Sequence, residues 1–100
     1  MDDRKLLEYV LNPSHPVGRH HAIVFKRRLG IDATNFHVLR DALCAGAATK
    51  PATQGQSSPF GIKYEQRLTI QGPAGAAVVL AVWLIETGST EPRLITTYVE

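Results

Sequence analysis

The sequence predicts an α+β domain in which N-terminal helices pack on a three- to four-stranded antiparallel sheet. Three observations carry this. Apolar residues recur at helical spacing in the first half of the chain and at alternating or continuous spacing after about residue 60. The strand-like segments are separated by short glycine- and proline-bearing turns, as in a meander. One hundred residues, 44% hydrophobic and 20% charged, suit one ordinary globular domain spanning 1–100, with room for one modest core.

The first helix is expected over about residues 4–11. Leu6, Leu7, Val10 and Leu11 form an apolar stripe, and Asn12-Pro13-Ser14 ends it. A second helix is expected from Pro16 to Leu29, because proline at a first helical position lacks only an N–H that would have no partner there. Ala22, Phe25 and Leu29 share its inner face. Gly30 suits the left-handed stop, and Arg27 and Arg28 suit the negative end of the helix dipole. Asp32 or Thr34 can cap a third helix over 33–47, with Phe36, Leu39 and Leu43 on one face. Residues 49–59 show no periodicity and are expected as a loop.

The second half reads as strands. Ile62, Tyr64, Leu68 and Ile70 alternate with Lys63, Glu65, Arg67 and Thr69, which marks a half-exposed strand. Gln71 to Gly75 is a turn. Ala76 to Glu86 is nearly all apolar and is expected as a central strand covered on both faces, with Trp83 in the core. After a turn over 87–92, Arg93 to Val99 forms the last strand.

Several functions are excluded by composition. Cys44 is the only cysteine, so neither an intrachain disulfide nor a cysteine-based zinc site can form. Late in a helix, it is expected to be buried or inert. The apolar run from Ala74 to Ile85 is too short to span a bilayer. The start, Met1-Asp2-Asp3-Arg4-Lys5, does not read as a secretory leader, so a reducing, cytoplasmic setting is expected. No glycine-rich phosphate loop, nucleophile elbow or glycosidase-type carboxylate pair is present. No cofactor and no metal are expected.

The charge is unevenly spread. The net charge is +2, yet Arg19, Lys26, Arg27, Arg28 and Arg40 fall in one stretch with Asp32 as the only acid before Asp41. All four histidines, His15, His20, His21 and His37, lie there too. Such a basic surface attracts phosphates, although solvated helix faces look the same. Within it, His20 sits early in the second helix, and histidine is the usual carrier of protons near neutral pH. His20 and His21 point about 100° apart around a helix, so they cannot face one pocket equally. On the last strand, Thr96 and Tyr98 project to one face, while Ile95, Thr97 and Val99 project to the helix-covered face. Two adjacent hydroxyls can bind a phosphate, although threonine and tyrosine are also good strand formers. Lys63 and Arg67 would add positive charge if their face is the one that carries Thr96 and Tyr98.

These motifs are borne by a longer pattern. Asn12-Pro13-Ser14-His15-Pro16-Val17-Gly18-Arg19-His20, Phe25, Leu29-Gly30, Phe36, Leu39-Arg40-Asp41-Ala42-Leu43, Gly61-Ile62-Lys63-Tyr64, Trp83 and Pro92-Arg93-Leu94-Ile95-Thr96-Thr97-Tyr98 together resemble a bacterial family of unknown function. Its members occur as small standalone proteins and as modules of polymorphic toxins and phage-related proteins. They resemble the barnase–EndoU–colicin–RelE group of folds, whose sheet supports metal-independent RNA cleavage. The resemblance implies a ribonuclease toxin with RNA as substrate and a small immunity or antitoxin protein as partner. It implies catalytic roles for a histidine (His20), a basic residue (Arg19 or Lys63) and the Thr96/Tyr98 pair. The chain departs from the pattern at Val99, where a proline is expected, and at His21, where lysine is common. The alternative is a non-catalytic interaction module, phage- or toxin-associated. An antitoxin role fits less well, because partners of basic nucleases are commonly acidic.

Overall fold

The computed structural model describes residues 3–100. Helix α1 covers Asp3–Lys5 and continues as a π-helical turn over Leu6–Val10. Helix α2 is Arg19–Leu29, and α3 is Phe36–Thr49, entered through a 3₁₀ turn at Ala33–Asn35. Strands β1 (Thr53–Ser58), β2 (Gly61–Gly72), β3 (Gly75–Glu86) and β4 (Pro92–Val99) form one antiparallel sheet in the order β1-β2-β3-β4. The expected α+β meander is the observed fold.

The helices are held by local chemistry that the sequence carries. The wider turn after Lys5 puts Leu6, Val10 and Leu11 in the core and leaves Leu7 at the surface. Helix α2 begins at Arg19, three residues after the expected start at Pro16. Between the two lies a turn at His15, whose Nδ1 accepts hydrogen bonds from the backbone N–H of both Val17 and Gly18 at 3.0 Å. A first turn leaves these N–H groups without helical acceptors, so the imidazole caps the turn over 16–18 that leads into α2. A β-carbon on Gly18 would run into the Tyr9 carbonyl oxygen, so the first helix and this turn pack closely only with glycine there. Gly30 ends α2 in the left-handed region (φ 71°), as expected. Asp32 and Asn35 form a reciprocal capping box before α3.

The core lies between the helices and one face of the sheet. Phe25, Leu29, Leu39 and Leu43 meet Leu68, Ile70, Val79, Ala81 and Trp83. Trp83 is in the core as expected, and its indole N–H donates to Gln66 Oε1 at 2.8 Å. The Gln66 amide then donates to the carbonyls of Gly46 and Lys50, both at 3.0 Å, closing the end of α3. This buried relay satisfies every group that it contains.

Four expectations are corrected. Residues 49–59 are not all loop, because β1 pairs with β2 along an irregular register. Its residues, Thr-Gln-Gly-Gln-Ser-Ser, are exposed throughout, so no apolar alternation betrays the strand. Strand β3 is not covered on both faces. Among the described residues no second layer overlies its outer face, and Val78 is 42% exposed there. Leu80 is shielded instead by its cross-strand neighbours, since the register puts Arg67 on one side and Tyr98 on the other. Ile95 does not share the core face with Val99: the β3–β4 register slips there, Val82 pairing with Thr96 and Trp83 with Leu94. Such a bulge moves the next side chain to the other face, and Leu94 enters the core in place of Ile95. Cys44 is exposed, not buried.

Candidate functional site

The pleat separates adjacent residues of β4. Thr97 is buried, and its hydroxyl donates to the Leu80 carbonyl at 2.7 Å, across to the neighbouring strand. Val99 packs against the core. Thr96 and Tyr98 start from the outer face and are half-buried, and among the described residues no hydrogen bond holds either side-chain hydroxyl. This division between Thr97 and its two neighbours is the one the sequence predicts.

Register defines what surrounds them. Paired residues share a face, so successive rows across the outer face read Lys63–Leu84–Arg93, Glu65–Val82–Thr96 and Arg67–Leu80–Tyr98. Lys63 and Arg67 therefore lie on the face of Thr96 and Tyr98. Strands β2 and β4 stand two spacings apart, roughly 9–10 Å, a gap that long cationic side chains can bridge from one side. Arg67 is tied to Glu100 at 2.8 Å, and Arg93 to Glu86 at 2.9 Å. Lys63 has no ion pair among the described residues and stays exposed.

Helix α2 supplies the imidazole. Strand β4 is one of the two edge strands of the sheet, so Tyr98 meets the helix across an edge. Its ring stacks on His21, with centroids 5.1 Å apart and planes 24° from parallel. His21 is half-buried, whereas Arg19 and His20 are exposed. The later start of α2 puts Arg19, His20 and His21 all in its first turn. Of the expected residues, Thr96, Tyr98 and Lys63 thus share one face, Tyr98 is joined to α2, and the histidine in contact is His21. His20 points to solvent. The signal for His21 was available as the phase of the buried stripe: Phe25 is four residues on, so His21 borders the sheet-facing side.

A sizeable cleft lies elsewhere. It has a volume of about 880 Å³ and opens between α1 and the β3–β4 turn, lined by Lys5, Glu8, Tyr9, His15, Glu91 and Arg93 among others. His15 meets the Tyr9 ring edge-on at 4.9 Å, and the Lys5 ammonium sits over that ring. With Nδ1 committed to two backbone donors, His15 is foremost a structural clasp. Among the described residues no three His, Cys, Asp or Glu side chains converge in a way that could hold a metal ion. No helix there is long and apolar enough to cross a membrane.

A family model matches residues 1–100, and its description is a domain of unknown function, DUF6883. The chain belongs to the DUF6883 family. Neither the curated proteins nor the solved structures contain a match to it. A DUF6883 domain is thus, in this chain, an α+β meander whose outer strand meets a histidine-bearing helix.

Proposed function

We propose that this domain is a metal-independent ribonuclease whose site is the edge where α2 meets β4. The observation that carries the reading is the His21–Tyr98 stack beside the Thr96 hydroxyl, which no hydrogen bond holds among the described residues. It sets an imidazole beside two hydroxyls at the α2–β4 edge, with exposed Arg19 on the same helix and exposed Lys63 on the sheet's outer face, two strands away.

In this reading, Thr96 and Tyr98 donate hydrogen bonds to the non-bridging oxygens of the scissile phosphate. His21 takes the proton of the 2′-hydroxyl, and the 2′-oxygen then bonds to phosphorus. The bond from phosphorus to the 5′-oxygen breaks, and the departing oxygen gains a proton from the imidazolium or from water. The products are a 2′,3′-cyclic phosphate and a free 5′-hydroxyl. Lys63 or Arg19 offsets the charge that builds on the phosphorane. The stack fixes the imidazole plane, so little rotamer freedom is lost when substrate binds. The resemblance implies this role for His20. The proposal gives it to His21, the histidine in contact with Tyr98, in the position where the family pattern favours lysine.

The test is cleavage of total RNA and tRNA by purified protein in EDTA. Wild type should release ends bearing a 2′,3′-cyclic phosphate, and His21→Ala should lower the rate by about 10²–10⁴, the usual contribution of a general acid or base. If wild type is as inert as His21→Ala on both substrates, the ribonuclease reading fails and the interaction-module alternative takes its place.

A further inference from the structure

Helix α2 has an outer face that its own fold does not use. The buried face is Ala22, Phe25 and Leu29. On the opposite side, at 100° per residue, lie His20, Ile23, Val24 and Arg27, flanked by Arg19 and Arg28. Ile23 is 44% exposed and Val24 36%. β-Branched side chains are poor choices for a solvated helix surface, since they lose rotamer freedom there and gain no burial. The helix contains no acidic residue. Its one paired cation is Lys26, held by Asp32 at 2.8 Å, and among the described residues Arg19, Arg27 and Arg28 have no ion-pair partner.

We propose that this face docks an acidic protein, which sets apolar side chains on Ile23 and Val24 and carboxylates on Arg19, Arg27 and Arg28. Charge complementarity selects an acidic occupant, and the paired apolar anchors select a protein over a nucleic acid. A phosphate backbone would use the arginines and leave Ile23 and Val24 facing water. The face also explains His20, which lies between the two apolar residues at the centre of the patch. Val24 is three residues from His21 and adjoins it on the helix surface. A protein seated there therefore reaches the His21–Tyr98 edge and blocks it. That blocking effect rests on the ribonuclease reading; the docking does not.

Two probes test the two parts. The first is a labelled helical peptide with leucine on one stripe and glutamate on the other, compared with polyglutamate and single-stranded RNA of equal charge. Binding is followed by fluorescence anisotropy and mapped by amide NMR. The amphipathic peptide should bind at least tenfold tighter than polyglutamate and shift amides over residues 19–28. Both Ile23→Ser/Val24→Ser and Arg27→Glu/Arg28→Glu should weaken it at least tenfold, with thermal melts showing that each variant stays folded. The serine pair should leave RNA binding unchanged. If the peptide binds no better than polyglutamate, or if the serine pair does not weaken it, the docking proposal is wrong. If RNA instead shifts the same amides and loses affinity in the serine pair, the face serves nucleic acid. The second probe adds saturating peptide to the cleavage assay. Slowing of wild type but not of the serine pair supports occlusion; unslowed cleavage with peptide bound over 19–28 rejects it. An absence of all cleavage rejects the catalytic reading and leaves the binding result to stand by itself.

Discussion

The two faces of β4 are one residue apart and follow opposite rules. On the inner face Thr97 spends its hydroxyl on a neighbouring carbonyl, and Val99 and Leu94 complete the core. Among the described residues no buried side-chain nitrogen or oxygen lacks a hydrogen-bond partner. On the outer face Thr96 and Tyr98 keep their hydroxyls without such partners, and the nearest specific contact is a ring stack across the edge. A fold made stable by satisfying every inner group can leave its outer groups for something else to satisfy. The same contrast runs through α2, whose inner side is sealed by Phe25 and Leu29 and whose outer side combines bare arginines with Ile23 and Val24.

The largest effect expected from breaking the sealed side is that of Phe25→Ala. The ring is fully buried, so about 3–5 kcal/mol of stability should be lost, read as the shift in a urea midpoint at constant slope. A loss below about 1 kcal/mol would mean that α2 is not fastened to the sheet as described.

The paired threonines sharpen the contrast. Thr97→Val removes the hydrogen bond to Leu80 and should cost about 1–3 kcal/mol, because the hydroxyl is buried and its acceptor is left behind. Thr96→Val should change stability by less than about 0.5 kcal/mol, as surface changes usually do. Its effect should appear in RNA cleavage, as a fall of about 10²-fold for a lost phosphate donor. Equal destabilisation by the two variants would erase the distinction between the faces.

The smallest effect belongs to the turn before α3. The ammonium of Lys26, together with hydrogen bonds from Thr34, holds the Asp32 carboxyl well below the usual carboxylate range. A carboxyl depressed in the folded state favours folding at pH values above its unfolded value of roughly 3.9. That contribution fades as pH falls below this value toward the folded one. Lys26 is 70% exposed, so solvent and salt weaken the pair. Asp32→Asn should therefore reduce the acid sensitivity of the melting temperature below pH 4 slightly, and less at high salt. No change in acid sensitivity would show that the pair does not contribute to folding.

The legibility of the molecule follows the same division. The helices and β2 could be read because burial on one side imposes a period, whereas β3 showed as a nearly unbroken apolar run that hid its open face. Strand β1 could not be read, since Thr53–Ser58 is exposed on both sides and its pairing to β2, not its composition, makes it a strand. The bulge at Ile95 was hidden for a related reason: Leu94 and Ile95 are both apolar, and alternation cannot say where a register slips. Gln66 stands on the apolar phase of β2 with no sign in the sequence of its role, yet it bridges Trp83 to the end of α3, a link set by three elements together. In the site, the split of Thr97 from Thr96 and Tyr98 followed from the pleat alone. Which of the two adjacent histidines touches Tyr98 depended on the side that α2 buries through Phe25 and Leu29.

The central claim is that chemistry sits at the α2–β4 edge through His21. Its most direct test compares His21→Ala with His20→Ala, both at exposed or half-buried positions, by ³¹P NMR of RNA cleavage in EDTA. The account expects the 2′,3′-cyclic phosphate signal to fall by about 10²–10⁴ in rate for His21→Ala and to persist for His20→Ala. The reverse outcome, with His20→Ala inert and His21→Ala active, would contradict it and move the chemistry to the outer face of the helix.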